Sequence, residues 1–590
     1  MNSPASFFKA RPLSLKMFAM NFMFSKFRFL LSPRFLWVYA VVALLVPNVA
    51  LCLTEQMPLA ACAVNVFLPL SVYALLMSLS AKTGRQVWVL FPLVFFAAFQ
   101  MVLIYLYGSG VIAVDMFLNL LTTNPGEAME LLDNLVPAVA GVVLLYLPLL
   151  IVAAWQWARR ASVGGEFCRR MRRLSLCGFA ASAVLAAVCY AAWPKGGEKE
   201  GRFEFRVEDN VYPANVFYNL ALAVRESWLS AHYQERVAGF RFGARSLHPK
   251  DKAEVYVLVI GETARSRNFQ LYGYPRPTNP ELSAENGLIV FRRVTSQSNT
   301  THKSVPMLLS AATAADHDRL YREKGLIAAF REAGFRTVFL SNQQPNHSYI
   351  DFLGGEADDC VFIRDAADAK PSAAKADAAA LTSDERLLPY VRRILAERRG
   401  GKLLVVLHTY GSHFNYRDRY PQSRARFLPD TPTEAKAENR PQLLNAYDNT
   451  ILQTDHILAS LIRMLRSERC PAAMLYTSDH GENIFDDSRR LFLHASPRPS
   501  VYDTDVPLLV WTSGEYAASY PSVVRALCGN AGKGAQSNAS VFHTMLSIGG
   551  VEAKVYADSL SLASTRYRPG TRLYLNDHNH AVPLAMYGIR

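Results

Sequence analysis

The chain holds 590 residues, more than one ordinary core can organise, which predicts at least two domains. It is 51% hydrophobic with a formal net charge of +14, and residues 1–194 hold nearly all the long apolar runs with 14 Lys+Arg against 6 Asp+Glu, a net of +8. Basic charge beside apolar runs is a topology signal, so no nucleic-acid partner is expected; the remaining +6 suits an anionic membrane surface.

Five runs are long enough to span a bilayer: roughly 35–54, 58–80, 86–107, 135–157 and 174–193, none with a Lys, Arg, Asp or Glu. Residues 1–34 hold Lys9, Arg11, Lys16, Lys26, Arg28 and Arg34 with no acid, the next cytoplasmic-type loop holds Lys82 and Arg85, and 158–173 holds six arginines. The alternate loops, 54–57 and 108–134, contain no Lys or Arg. The positive-inside rule then places the N-terminus in the cytoplasm, and an odd number of spans places 195–590 outside, in the periplasm of a bacterium. The first span is too long for a cleaved signal and lacks a small-residue cleavage site. The expected organisation is a basic N-terminus (1–34), a five-helix transmembrane domain (35–194), a linker with bridging helices (195–245) and a soluble domain (246–590). Residues 212–237 carry aromatic and charged residues at helical spacing, an interfacial helix. The biased stretch AADAKPSAAKADAAA, 366–380, predicts an exposed loop.

In the soluble part, short apolar runs end in polar residues. VYVLVIGE ends at Glu262, FRTVFLSNQQ near Asn342, KLLVVLHTYGSH at His408 to His413, and AAMLYTSDHGE at Asp479 and His480; VPLLVWTS follows. Helical stretches such as GLIAAFREAG and ILQTDHILASLIRMLRSE lie between them. Apolar strands alternating with helices predict an α/β fold: a mostly parallel sheet covered on both faces, with ligands beyond the carboxyl ends of its strands. Glu262, Asp479 and His480 fall at such ends, and zinc accepts this mixture of carboxylate and imidazole. Cys360, Cys470 and Cys528 are the soluble part's cysteines; they allow at most one disulfide and offer no CxxC zinc spacing.

The stretch VTSQSNTTHKSVPMLLS, 294–310, offers a nucleophile or a plain capping loop. Ser304-Val305-Pro306 resembles a helix start with Ser as cap and Pro in the first turn, so the threonines before it would face free N–H groups. A hydroxyl there needs a metal or base to become nucleophilic. His408, His413 and His494 stand by to bind phosphate, hold a second metal or move protons, with His408, nearest its strand, the structural one.

Together these residues resemble the bacterial phosphoethanolamine transferases, lipid A modifying enzymes with five transmembrane helices and a periplasmic domain of the alkaline phosphatase and sulfatase type. GETARSRNFQLYGYPRPTNP (261–280) and SDHGEN (478–483) carry the resemblance. It implies zinc held by Glu262, Thr301, Asp479 and His480, with Thr301 rather than Thr300 as the nucleophile. One tightly bound ion is implied, and His413 and His494 serve the phosphoethanolamine group or a second metal. LNLLTTNPGEA (118–128) resembles the segment that holds the donor head group, which implies roles for Asn119, Thr123 and Glu127 on one helical face. The implied donor is phosphatidylethanolamine; the implied acceptor is lipid A or the lipopolysaccharide core, with lower binding of polymyxin and other cationic peptides as the result. Two departures stand out: the nucleophile block lacks its flanking cysteines, and the family's substrate-side lysine has no match, Asn346 or His347 standing in that region. A phosphoglycerol transferase and an inactive lipid- or polysaccharide-binding protein are the alternatives. A sulfatase is not, since Ser304-Val305-Pro306-Met307-Leu308 lacks the arginine of that motif.

Overall fold

The protein, seen in a computed structural model, is described over residues 30–55, 57–107, 110–122, 125–193, 203–364, 382–398 and 400–589. It divides into two compact units. The first draws on Met1–Val111, Leu135–Glu198 and Arg202–Tyr218; the second draws on Ile112–Asn134, Lys199–Gly201 and Asn219–Arg590.

The first unit is built from apolar helices α1 (Pro33–Thr54), α2 (Leu59–Met77), α3 (Thr83–Val89) and α4 (Phe91–Tyr107), followed, after α5 (Val114–Thr122), by α6 (Pro125–Ala158) and α7 (Gly165–Ala192). Among the described residues, four helices are long and apolar enough to cross a membrane, and a fifth span exists if α3 and α4 count as one. The third expected span, 86–107, is therefore not one straight helix: α3 and α4 meet at a 63° bend. Pro92 accounts for the break at Leu90, because it lacks the N–H that would bond the Trp88 carbonyl and carry the helix on from α3. The last span also begins earlier than the apolar run alone suggests, at Gly165, since Arg, Met and Leu are good helix formers. Inside the apolar stack, Asn48 Nδ2 donates to the carbonyls of Asn65 (2.8 Å) and Tyr212 (2.7 Å), so the buried amide is satisfied.

The second unit holds a seven-stranded sheet. Its strands are β1 (Glu254–Gly261), β2 (Leu288–Phe291), β3 (Arg336–Ser341), β4 (Asp359–Phe362), β5 (Lys402–His408), β6 (Ala472–Ser478) and β7 (Leu508–Thr512), in the order β2-β7-β6-β1-β5-β3-β4. All neighbours pair in parallel except β7, which is antiparallel to both β2 and β6. Side chains alternate between two cores. Tyr256, Leu258 and Ile260 face one with α8 (Thr301–Leu308), α9 (Leu326–Glu332) and Ser537–Ile548. Val255, Val257 and Val259 face the other with Leu387–Glu397 and Arg440–Ser467. Period-2 alternation thus becomes two apolar faces, each buried residue contributing on the order of 1.5–3 kcal/mol. The fold is the expected one: N-terminal apolar helices followed by an α/β domain with helices on both faces of a mostly parallel sheet.

The 212–237 segment forms two helices, Ala214–Ala231 and Tyr233–Val237. The 366–380 stretch lies outside the described residues. Cys360, Cys470 and Cys528 are free thiols.

Candidate active site

The parallel register brings the site together. Gly261 of β1 lies opposite Ser478 of β6, so the next residues, Glu262 and Asp479, leave the sheet side by side. His408 at the end of β5 lies opposite Ile260 on one side and Ser341 on the other. A slip of one residue would turn these side chains to the other face.

Glu262, Asp479 and His480 are buried and offer three ligand atoms within 4.8 Å of one another. Each is fixed by its second polar atom. Asp479 Oδ1 accepts from the Thr263 N–H (3.0 Å) and the His480 N–H (2.7 Å), while Oδ2 is buried without a hydrogen bond, 3.2 Å from His480 Nε2. His480 Nδ1 lies 2.9 Å from the Gly481 carbonyl, so Nδ1 carries the proton and Nε2 keeps its lone pair for the site. Glu262 Oε2 accepts from Gln343 Nε2 at 3.0 Å, and Gln343 also donates to the Thr409 carbonyl at 2.9 Å. Two close approaches hold the loops. A Cβ on Gly411, at φ +48°, would sit 2.5 Å from the Glu262 carbonyl, and one on Gly481 would sit 2.1 Å from the Tyr502 carbonyl. Thr263 holds φ +61° beside Glu262, a left-handed conformation retained by its bonds to Asp479 and Glu262.

The electrostatics ask for a cation. Burial works against a charged His480, but the carboxylates of Asp479 and Glu262 outweigh it and raise its pKa. A divalent ion answers the same demand: two carboxylates, one of them with an orphaned buried oxygen, and an imidazole nitrogen form a donor set that zinc accepts.

Thr301 completes the group. Its Oγ1 lies 3.1 Å from Glu262 Oε1 and 3.1 Å from His480 Nε2, and it is partly exposed where the three others are buried. The helix that carries it differs from expectation. α8 begins at Thr301 with Thr300 as N-cap, so Ser304 is not the cap and Pro306 is not in the first turn. Ser304 cannot serve as the cap because its hydroxyl is committed to the Asp479 carbonyl at 2.6 Å and accepts from Asn538 Nδ2 at 2.8 Å. Thr301 itself therefore occupies the first helical turn.

His413 and His494 stand close by. His494 lies 4.1 Å from His480 between ring centroids and 6.4 Å from His413. Burial, then the Arg419 charge, lowers the His413 pKa to about 4; burial, then His480, lowers that of His494 to about 3. Both are neutral near neutral pH and able to take a proton or a metal. His413 Nδ1 faces the Phe414 carbonyl at 2.8 Å, which leaves Nε2 its lone pair. His494 Nδ1 meets Glu482 Oε1 at 3.1 Å, and Leu493 and Ala495 on either side hold φ of +64° and +63°. His408 is buried with Nδ1 3.2 Å from Ser341 Oγ, a place inside the sheet edge.

Other expected residues fall elsewhere. Asn119 lies on α5, which ends at Thr122, and Glu127 on α6, which starts at Pro125, whose ring suits a first helical position. Thr123, and the side chains of Asn119 and Glu127, lie outside the described residues. Asn346 and His347 line a cavity of about 260 Å³ with His302 and Lys303, whereas the residue from that region that reaches Glu262 is Gln343. Gln343 and Glu482 are functional neighbours that sequence patterns barely mark; their only signals are a polar residue just past a strand and an acid just past the Asp-His pair.

Residues 254–551 match the Sulfatase family, and residues 66–227 match the family described as Phosphoethanolamine transferase EptA/EptB. The Kdo(2)-lipid A phosphoethanolamine 7''-transferase of Salmonella typhimurium is 32% identical over 276 residues, 46% of this chain and 46% of that protein. The chain thus aligns with about half the length of that curated relative. Among solved structures, the integral membrane protein lipooligosaccharide phosphoethanolamine transferase A of Neisseria meningitidis superposes with a TM-score of 0.68 at 21% identity, over 91% of this chain and 98% of that one. The C-terminal periplasmic domain of EptC from Escherichia coli, in complex with Zn, superposes with a TM-score of 0.51 at 24% identity, over 58% and 95%. At these identities the structural likeness speaks for the fold.

Proposed function

Since the chain belongs to the sulfatase family, whose match covers residues 254–551, we propose that it transfers phosphoethanolamine from phosphatidylethanolamine to lipid A or the lipopolysaccharide core. The proposed setting is the bacterial inner membrane, with residues 1–34 cytoplasmic, 35–194 in the membrane, 195–245 as a linker and 246–590 periplasmic. The observation that carries this reading is one partly exposed hydroxyl, Thr301 Oγ1, 3.1 Å from both a buried carboxylate and a buried imidazole. The match of 66–227 to the phosphoethanolamine transferase family supports the donor.

Glu262, Asp479, His480 and Thr301 would hold one zinc ion, which when bound supplies positive charge that eases loss of the hydroxyl proton and offsets charge on the transferring phosphoryl group. The oxygen of Thr301 attacks the donor phosphorus, and the bond from phosphorus to the diacylglycerol oxygen breaks. Diacylglycerol leaves as an alcohol, taking up the proton that Thr301 gave up, with His413 as its proposed carrier. An oxygen of the acceptor, a protonated lipid A phosphate or a core sugar hydroxyl, then attacks phosphorus and the bond to Thr301 breaks, the acceptor's proton passing to the Thr301 oxygen and restoring its hydroxyl. His494, held by Glu482, faces the same space and serves proton movement or a second ion. The donor head-group roles of Asn119, Thr123 and Glu127 belong to this reading.

The test is mass analysis of lipid A and core from cells expressing the chain. A gain of about 123 Da, one phosphoethanolamine, on either fraction supports the reading; unchanged masses in both overturn it. With lipid A as acceptor, anionic surface becomes zwitterionic, and polymyxin sensitivity falls. Gln343→Ala, which removes the donor to Glu262 Oε2, is expected to weaken zinc binding about 10–100-fold, as loss of an outer partner of a metal ligand does, measured by chelator competition.

A further inference from the structure

Asp115 lies on α5, between the apolar helices in sequence yet inside the second compact unit. Its carboxylate is buried against the nucleophile's neighbours. Oδ1 lies 2.9 Å from His302 Nε2 and 2.9 Å from Lys303 Nζ, and Oδ2 accepts from Thr300 Oγ1 at 3.5 Å. Asp115 therefore touches the residue before Thr301 and the two after it, while Thr301 itself turns to Glu262 and His480. Lys303 Nζ also donates to the carbonyls of Asn576 (3.0 Å) and Asp577 (3.3 Å). The Asp577 carboxylate closes the circuit: it accepts from the N–H groups of Val114 (2.9 Å) and Asp115 (3.2 Å), at the start of α5. Asn219 adds a second tie, donating to the Ile112 carbonyl at 2.8 Å and meeting His578 Nε2 at 2.8 Å.

We propose that Asp115 is a positioning residue that sets the first turn of α8, so that the Thr301 hydroxyl points at Glu262 and His480. The proposal rests on the transferase reading for its assay. A short first turn has few bonds of its own: Thr300 makes no side-chain cap, its hydroxyl being turned to Ser298 and Asp115. The anchoring comes instead from a carboxylate that grips both flanks of the nucleophile. Burial opposes ionisation of Asp115, but Lys303 and His302 outweigh it and hold its pKa down at about 2, which keeps the anchor charged.

The experiment uses the full chain in micelles with phosphatidylethanolamine, following phosphoethanolamine-threonine formation by intact mass. A displacement of about 1 Å at a reacting atom costs on the order of 10²-fold, so Asp115→Asn should slow adduct formation by about 10–100-fold at saturating donor. Half-saturating donor and bound zinc should stay unchanged. Asp115→Glu should recover part of the rate. Lys303→Met should slow it similarly, and the double variant no further than either alone, as two halves of one device must. A wild-type rate in Asp115→Asn, a change confined to half-saturation, or additive single variants overturns the proposal. If the wild type acquires no phosphoethanolamine, the transferase reading fails. The positioning claim is then decided by hydrogen exchange, which should quicken at the amide of Ser304, bonded to the Thr300 carbonyl, in Asp115→Asn; unchanged exchange overturns it.

Discussion

Thr301→Ala is expected to abolish the phosphoethanolamine adduct and to lower transfer by at least about 10⁴-fold, the scale on which loss of a covalent nucleophile is felt. The neighbouring hydroxyls cannot take over. Thr300 Oγ1 is turned to Ser298 Oγ at 3.1 Å and to Asp115, and Ser304 Oγ is bound to the Asp479 carbonyl at 2.6 Å. Both would have to break buried hydrogen bonds and rotate their helical turn to reach Glu262. Thr301→Ser keeps a hydroxyl at the same position and should retain the adduct. Thr300→Ala should retain it too, with the added mass mapped by peptide sequencing to residue 301. Transfer surviving in Thr301→Ala, or an adduct that maps to Thr300, would refute the assignment of the nucleophile.

Residues that end apolar strands are legible in the sequence itself. Glu262 and the Asp479-His480 pair stand one step past β1 and β6, and a continuous apolar run followed by charge marks that edge of a parallel sheet. Their meeting is not legible there, because it depends on the pairing of Gly261 with Ser478, a register between strands more than two hundred residues apart. Local patterns mislead where a distant partner outweighs them. Ser304 has a good capping sequence around it, but the Asp479 carbonyl and Asn538 take its hydroxyl, and the helix starts a turn earlier. The 86–107 run is apolar throughout, and hydropathy is blind to a bend at Pro92. Asp115 gives no signal at all: one of four acids in a loop without Lys or Arg, it gains meaning only when His302 and Lys303, nearly two hundred positions away, close on it. Gln343 is hidden for a related reason, since a neutral amide past a strand acquires a role only through the carboxylate it orients.

His480→Ala is expected to cost the protein its zinc and, with it, adduct formation. His480 Nε2 is the one nitrogen among the three buried ligand atoms, and the Gly481 carbonyl fixes which nitrogen is presented. Its loss should exceed the roughly 10–100-fold penalty set by an outer partner such as Gln343. The carboxylates of Glu262 and Asp479 would then face each other in a buried site without a counter-charge, and a buried charge deprived of its partner destabilises by about 3–5 kcal/mol. A fall in the unfolding temperature should therefore accompany the lost metal, and His480→Gln, closer in volume, separates the two effects: it should fold better yet still bind zinc weakly. His494→Ala makes the contrast, because its ring lies 4.1 Å from His480 without belonging to the three-ligand cluster. That variant should keep one zinc per chain while transfer slows by about 10²–10⁴-fold, the range of a lost proton-transfer group. Metal analysis of purified protein, before and after chelation and zinc return, decides the matter: wild type and His494→Ala should regain the ion, and His480→Ala should not. Full zinc occupancy in His480→Ala would remove the imidazole from the metal site and leave Thr301 without the arrangement from which its nucleophilicity was argued.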